Sequence, residues 1–81
     1  MKTRHNGTGW IIECPGCGAM HLMDSRWTLR GDPASPTFKP SIHVREPNGN
    51  VCHSWVTDGR IQFLNDSTHE LAGQTVELPD I

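Results

Sequence analysis

Short runs of β-branched and aromatic residues, separated by turn residues, dominate the hydrophobic pattern of the chain. Residues 10–13 form the first run, which stops at the glycine-rich sequence Cys14-Pro15-Gly16-Cys17-Gly18. Residues 19–26 carry apolar side chains at alternate positions and are expected to return as a strand. The pattern therefore predicts a strand, a tight turn and a second strand over residues 10–26.

Two hairpins are predicted in the middle of the chain. Residues 41–45 alternate in polarity, and the dipeptide Asn48-Gly49 fits a two-residue type I′ turn into residues 51–57. Asp58-Gly59 marks a second turn, which leads into residues 60–64. These signals predict a three-stranded antiparallel meander.

The remaining segments are predicted to surround this meander. Three prolines and a glycine in residues 31–40 exclude a helix interior and favour an ordered loop or an edge strand. Ser67 and Glu70 have the spacing of a capping box, and Gly73 is placed to end one short helical turn. Residues 75–78 are expected to form a last strand. We predict a single domain over residues 1–81, with residues 1–8 flexible.

The composition indicates that this small fold needs support beyond its apolar core. The 81 residues are only 35% apolar and include eight glycines and six prolines, and the mean hydropathy is -0.50. A chain of this length buries only about 60–65% of the surface that its unfolded form exposes. We therefore expect a metal, a disulfide or a partner chain to contribute to stability.

The cysteines favour a metal over disulfides. Their number is three, which leaves one thiol over in any set of intramolecular disulfides. Cys14 and Cys17 flank a Pro-Gly pair, as in a zinc knuckle, and Cys52 can supply a third thiolate. A redox dithiol is the competing interpretation, but such a motif usually opens a helix. We predict a mainly β, zinc-ribbon-like antiparallel sheet closed by one zinc ion on three cysteines and a histidine.

The hairpin register bears on the choice of the fourth ligand. If Asn48-Gly49 is a two-residue turn, His43 shares the face of Cys52, and His53 lies on the opposite face. A bulge at Cys52-His53 would turn His53 towards the metal instead. The register alone therefore favours His43 over His53, and only such a bulge would reverse this.

The other three histidines are weaker candidates for the fourth ligand. The second hairpin brings the segment that contains His69 close to Cys52, and His21 follows Cys17 by only four residues. His5 lies in a terminus that is expected to fray.

Charge and hydropathy argue against some classes of partner. The formal net charge is -2, and the seven lysines and arginines are scattered, which disfavours non-specific binding to nucleic acid. No stretch approaches the roughly 20 apolar residues that cross a bilayer, and the first residues lack the apolar core of a signal peptide. We expect a protein of the reducing bacterial cytosol that does not bind membranes.

Several short motifs follow one another in a fixed order: Cys14-Pro15-Gly16-Cys17-Gly18, His21, Trp27, Pro36-Thr37-Phe38, Pro40-Ser41-Ile42, Cys52-His53-Ser54-Trp55, residues 58–64 and residues 66–73. Together they resemble a domain-of-unknown-function family of short phage and prophage proteins, many of which carry the label ammonia monooxygenase. That label requires transmembrane helices, which this sequence lacks.

The resemblance extends to proteins encoded beside bacterial ubiquitin-like conjugation genes, for which a metal-dependent peptidase or deconjugase role has been suggested. In those proteins a later cysteine is followed closely by a histidine, which corresponds to Cys52 and His53 here. The resemblance thus implies a zinc site of Cys14, Cys17, Cys52 and His53. His69 is the alternative fourth ligand.

Two functions are compatible with these features. We favour a structural zinc protein that binds a protein partner, because a site with three thiolates and one histidine leaves no open position for water. The alternative is a peptidase-like or deconjugase-like hydrolase, with an open metal position or a nucleophile such as Ser41 or Ser54 beside a base. Asp66 and His69, three residues apart, could pair a carboxylate with an imidazole. The candidate catalytic residues of such an enzyme are Ser41, Asp66, His69 and His21.

Overall fold

The computed structural model describes residues 1–81 as eight β-strands joined by turns, with no helix. A three-stranded sheet has the order β1-β2-β3, and a five-stranded sheet has the order β4-β5-β6-β7-β8. Every pairing is antiparallel, which confirms the prediction of a mainly β fold. The strands are β1 Arg4–His5, β2 Trp10–Cys14, β3 Ala19–Met23, β4 Thr28–Arg30, β5 Thr37–Arg45, β6 Val51–Thr57, β7 Arg60–Phe63 and β8 Thr75–Glu77.

The first sheet is built on the predicted hairpin around the glycine-rich turn. Residues 15–18 connect β2 to β3, and the amide of Gly18 donates to the carbonyl of Cys14 at 2.9 Å. Cys14 is then paired with Ala19, and Ile12 with His21. Because side chains alternate along a strand, Ile12, Cys14 and His21 share one buried face of this sheet.

The second sheet contains the predicted meander as β5, β6 and β7. The turn between β6 and β7 has positive φ at both Asp58 (50°) and Gly59 (78°), as a type I′ turn requires. The pairing runs from Ser54 with Phe63 to Thr57 with Arg60, in the register expected from this turn. Strand β8 completes the sheet at the position predicted for the last strand.

The register of the other hairpin differs from the prediction by one residue. Its loop has three residues instead of two: the amide of Glu46 donates to the carbonyl of Asn50 at 2.9 Å, and Gly49 adopts a φ of 90°. Cys52 is therefore paired with Val44, and His43 with His53. The prediction that His43 shares a face with Cys52 is wrong, because one extra loop residue exchanges the two faces of a strand.

The irregularity of the sheet lies in β5 and not in β6. Pro40 falls inside β5, and the pairing with β6 shifts between Phe38 and Ile42. Such a bulge accommodates a proline, which has no amide hydrogen for the ladder. Residues 37–40 thus belong to a strand with neighbours on both sides, and the bulge expected at Cys52-His53 does not form.

Two other local expectations also differ from the structure. Residues 69–74 form successive hydrogen-bonded turns instead of a helical turn, with the amide of Ala72 bonded to the carbonyl of His69 at 3.2 Å. The N-terminal segment was expected to be flexible, yet Thr3 is fully buried and its hydroxyl donates to the carbonyl of Ile11 at 2.7 Å. Both segments pack against the sheets.

The core lies between the facing sides of the two sheets. Its ten buried members come from both sheets and the C-terminal segment: Ile12, Cys14, Met23, Phe38, Ile42, Cys52, Val56, Ile61, Phe63 and Leu78. Two of these ten residues are cysteines, so the core is continuous with the predicted metal ligands. The structure has no helix of the length and apolarity that cross a membrane.

We expect Ile61→Ala to lower the free energy of unfolding by about 2–5 kcal/mol, because it opens a cavity beneath β7 of the larger sheet. Ile61 is 0% exposed, whereas Met20, on the outer side of β3, is 54% exposed. The control Met20→Ala should change stability by no more than about 0.5 kcal/mol. Urea denaturation of the metal-loaded protein measures both values, and equal losses would contradict this description of the core.

Candidate active site and metal centre

Three sulfurs and one imidazole converge between the two sheets. The side-chain ligand atoms of Cys14, Cys17, His21 and Cys52 all lie within 4.8 Å of one another and could hold a metal ion. The sulfurs of Cys14 and Cys52 are 3.7 Å apart. Cys14 and Cys52 are buried, and only 8% of His21 is exposed. We call these four residues the metal centre.

Each ligand is positioned by a different part of the fold. Cys14 ends β2, and the glycine-rich turn brings Cys17 back so that its amide donates to the sulfur of Cys14 at 3.4 Å. His21 lies two residues beyond the partner of Cys14 and on the same face of the first sheet. Cys52 comes from the facing side of the second sheet. A metal bound here would therefore join the two sheets.

The thiols strongly perturb one another. A hydrogen bond from Cys52 lowers the pKa of Cys14 to about 3, against the opposing effect of burial. The same contact, together with burial, raises the pKa of Cys52 well above its usual range. The cluster thus favours one thiolate but resists a second, because adjacent buried anions repel each other. A bound cation would remove this repulsion and let all three sulfurs ionise.

The histidine in the metal centre is His21, and the structure places His53 elsewhere. In the observed register His53 projects from the opposite face of β6 to Cys52. The Nε2 atoms of His21 and His69 are both buried without a hydrogen-bond partner, but only His21 is grouped with the three sulfurs within 4.8 Å. The sequence contained a signal for this residue, since pairing Cys14 with Ala19 across the turn puts His21 on the face of Cys14.

His69 supports the glycine-rich turn and does not join a catalytic pair with Asp66. Its ring packs so closely on Gly16 that a Cβ atom there would overlap the imidazole. The ring also lies edge-on to Phe63, with centroids 4.4 Å apart, and its Nδ1 accepts the amide hydrogen of Leu71. A cavity of about 170 Å³ opens beside this ring and the metal centre.

A second group of polar residues lies on the outer face of the larger sheet. The hydroxyl of Ser41 is 3.3 Å from Nε2 of His53. On the other side of the ring, Nδ1 of His53 is 3.1 and 3.2 Å from the two carboxylate oxygens of Asp66. A serine, a histidine and an aspartate linked in this order form a nucleophile, a general base and a group that orients the base. We call them the triad.

The triad members come from two strands and one turn. Ser41 lies on β5 and His53 on β6, on the same outer face. Beyond β7 the chain runs along β6, where the amide of Leu64 donates a hydrogen bond to the carbonyl of His53 at 2.8 Å. The hydroxyl of Ser67 accepts the amide hydrogen of His53 and donates to its carbonyl. These bonds place Asp66 beside the imidazole.

The environment of the triad suits a general base. The hydrogen bond with His53 lowers the pKa of Asp66, so its carboxylate stays ionised at neutral pH. A carboxylate at Nδ1 retains the ring proton on that nitrogen and leaves Nε2 free to accept the proton of Ser41. The side chain of His53 is 23% exposed, which allows a substrate to approach.

Ser54 and His43 lie near the triad, but only the side chain of His43 contacts it. Ser54, the other candidate nucleophile, is fully buried on the opposite face of β6, and its hydroxyl has no partner. His43 stacks on His53, with ring centroids 4.4 Å apart and an interplanar angle of 22°. Ser41 and Asp66 were predicted as candidate catalytic residues, whereas His53 was predicted as a metal ligand.

One family model matches most of the chain. The family model described as bacterial ubiquitination-like system serine protease (BubE) matches residues 1–64 of the chain. The matched region contains the four residues of the metal centre together with Ser41 and His53, and it ends two residues before Asp66. No curated protein and no solved structure matches the chain.

The two candidate histidines should differ in their effect on tightly bound metal. We expect His21→Ala to weaken metal binding by at least about tenfold. Loss of a residue that only supports a metal ligand already lowers metal affinity about tenfold or more, and loss of the ligand itself should lower it at least as much. The control His53→Ala should retain its metal after dialysis. Elemental analysis of the dialysed proteins measures the metal content, and loss of metal in His53→Ala alone would contradict the observed ligand set.

Proposed function

We propose that this chain, which belongs to the BubE family of bacterial ubiquitination-like system serine proteases, hydrolyses peptide or isopeptide bonds with Ser41, His53 and Asp66. The observation that supports this most directly is the pair of hydrogen bonds that links Ser41 to His53 and His53 to Asp66. The family description names a serine protease, and Ser41 is the serine in contact with an imidazole. Ser54, buried without a partner, does not meet this requirement.

The contacts define a role for each residue. Ser41 Oγ attacks the substrate carbonyl while its proton passes to Nε2 of His53, and the protonated imidazole then gives that proton to the leaving amine. Water, deprotonated by the same nitrogen, releases the acyl group from Ser41. Asp66 stabilises the positive charge of the ring throughout, because its carboxylate remains bonded to Nδ1.

We assign a structural role and zinc to the metal centre. Three thiolates and one imidazole are a ligand set typical of closed structural zinc sites. Two sulfurs on one tetrahedral zinc stand about 3.8 Å apart, close to the 3.7 Å that separates Cys14 from Cys52. The ligands lie between the sheets, whereas the triad lies on the outer face. The proposed zinc therefore stabilises the sheet that carries Ser41 and His53 and takes no part in the reaction.

The proposed protein partner is the substrate itself, a ubiquitin-like protein cleaved at its C-terminus or removed from a target. The family description, which places such proteases in a ubiquitination-like system, supports this proposal. The predicted site of action is the bacterial cytosol, where reducing conditions keep the three cysteines available for the metal.

We expect Ser41→Ala to reduce hydrolysis by roughly 10³-fold or more, because it removes the nucleophile. The matched control is Ser54→Ala, which removes a buried, unpartnered hydroxyl from the other face of the same sheet and should retain activity. Labelling by a fluorophosphonate probe, which reacts with activated serines, reports the same difference without a known substrate. Equal labelling of Ser41→Ala and the unmodified protein would contradict the proposal.

We expect Asp66→Asn to lower the hydrolysis rate by roughly 10³- to 10⁴-fold, because an amide no longer holds His53 in its reactive tautomer. The metal that it retains after dialysis should be unchanged, since Asp66 lies outside the metal centre. A full rate in Asp66→Asn would show that the aspartate beyond the family match has no part in catalysis.

A further inference from the structure

The triad overlaps a second group of potential metal ligands. One ring nitrogen each of His43 and His53 and a carboxylate oxygen of Asp66 lie within 4.8 Å of one another. The two imidazoles are stacked, so their nitrogens sit side by side at the surface. These ligands differ from those of the metal centre, because they contain no sulfur and lie on the opposite face of β6.

We propose that a zinc ion binds reversibly to His43, His53 and Asp66 and inhibits the protease. Two imidazoles and one carboxylate are a recurrent ligand set for zinc and related divalent ions. The two histidine ligands are preorganised, because β5 and β6 hold His43 and His53 opposite each other. His43 has no other assigned role in the reaction, and it supplies the ligand that the triad itself lacks.

Inhibition follows from the proton of the His53 ring, and this step rests on the proposed function. Nδ1 is the nitrogen that faces Asp66, so a metal shared with Asp66 binds Nδ1. A neutral imidazole carries one proton, which then moves to Nε2. Nε2 faces the hydroxyl of Ser41 and, once protonated, it no longer accepts the serine proton. Zinc bound at the surface of the sheet thus prevents His53 from acting as the general base.

The two zinc sites should differ widely in affinity. The metal centre offers three sulfurs, of which those of Cys14 and Cys52 are buried, whereas the second site offers three nitrogen and oxygen ligands, of which His43 and Asp66 are exposed. Thiolates bind zinc more strongly than exposed imidazoles and carboxylates. The inhibitory ion is therefore removed by dialysis that leaves the structural ion in place, which makes inhibition reversible.

The test compares His43→Phe with the unmodified protein, because phenylalanine keeps an aromatic ring on His53 but has no nitrogen ligand. His5→Phe is the matched control, since His5 is an exposed histidine on the other sheet. Equilibrium dialysis against zinc should show two ions per chain in the unmodified protein and in His5→Phe, but one in His43→Phe. The same titration should slow fluorophosphonate labelling of Ser41. Each variant is compared with its own labelling rate before zinc is added. Half-inhibition of His43→Phe should then require at least about tenfold more zinc than half-inhibition of the unmodified protein.

The zinc count and the labelling rate separate the two proposals. A single ion per chain in the unmodified protein, or equal zinc sensitivity of His43→Phe, would overturn the inhibitory site. Absence of labelling in dialysed protein, which retains only the structural ion, would instead overturn the protease proposal, and the zinc count would then decide the second site alone. Ser41→Ala should still bind two ions, because its hydroxyl is not a ligand.

Discussion

Adjacent side chains of β6 point to opposite faces of the sheet, and this alternation sends Cys52 to the metal centre and His53 to the triad. No residue separates the two, so the position of one fixes the position of the other. A metal that holds Cys52 against Cys14 would therefore also help to fix the position and orientation of the His53 ring on the outer face of the sheet. The proposed structural ion and the proposed catalytic base are linked in this way through a single peptide unit.

The metal centre and the apolar core share the space between the sheets. An 81-residue chain has too little apolar surface for a large core, and Cys14 and Cys52 are themselves core members. A metal that joins the sheets adds a strong contact where apolar packing is limited. The outer face of the larger sheet is then free to carry polar residues, because stability is supplied from the other side.

The triad depends on strands for two of its members and on a turn for the third. Ser41 and His53 lie on neighbouring strands, whose backbone hydrogen bonds restrict their separation. Asp66 lies in the turn after β7, which Ser67 attaches to the backbone of His53. Serine, histidine and aspartate recur as a catalytic group on unrelated folds. The proposed triad would let a small, two-sheet domain present the same chemistry.

The sequence by itself determined the strands β2, β3, β6, β7 and β8, the Asp58-Gly59 turn and the role of cysteines as candidate metal ligands, because these depend on local patterns and spacing. It also singled out Ser41 and Asp66. Only the tertiary structure decided that His21 joins the cysteines and that His53 joins the triad. For the triad, the physical reason is the loop before β6, where one residue more than expected moves Ser41 to the face of His53. For the metal centre, it is the packing of the two sheets, which brings Cys52 to Cys14 and His21. Local sequence does not fix that number, because two-residue and three-residue loops both accept Asn48-Gly49.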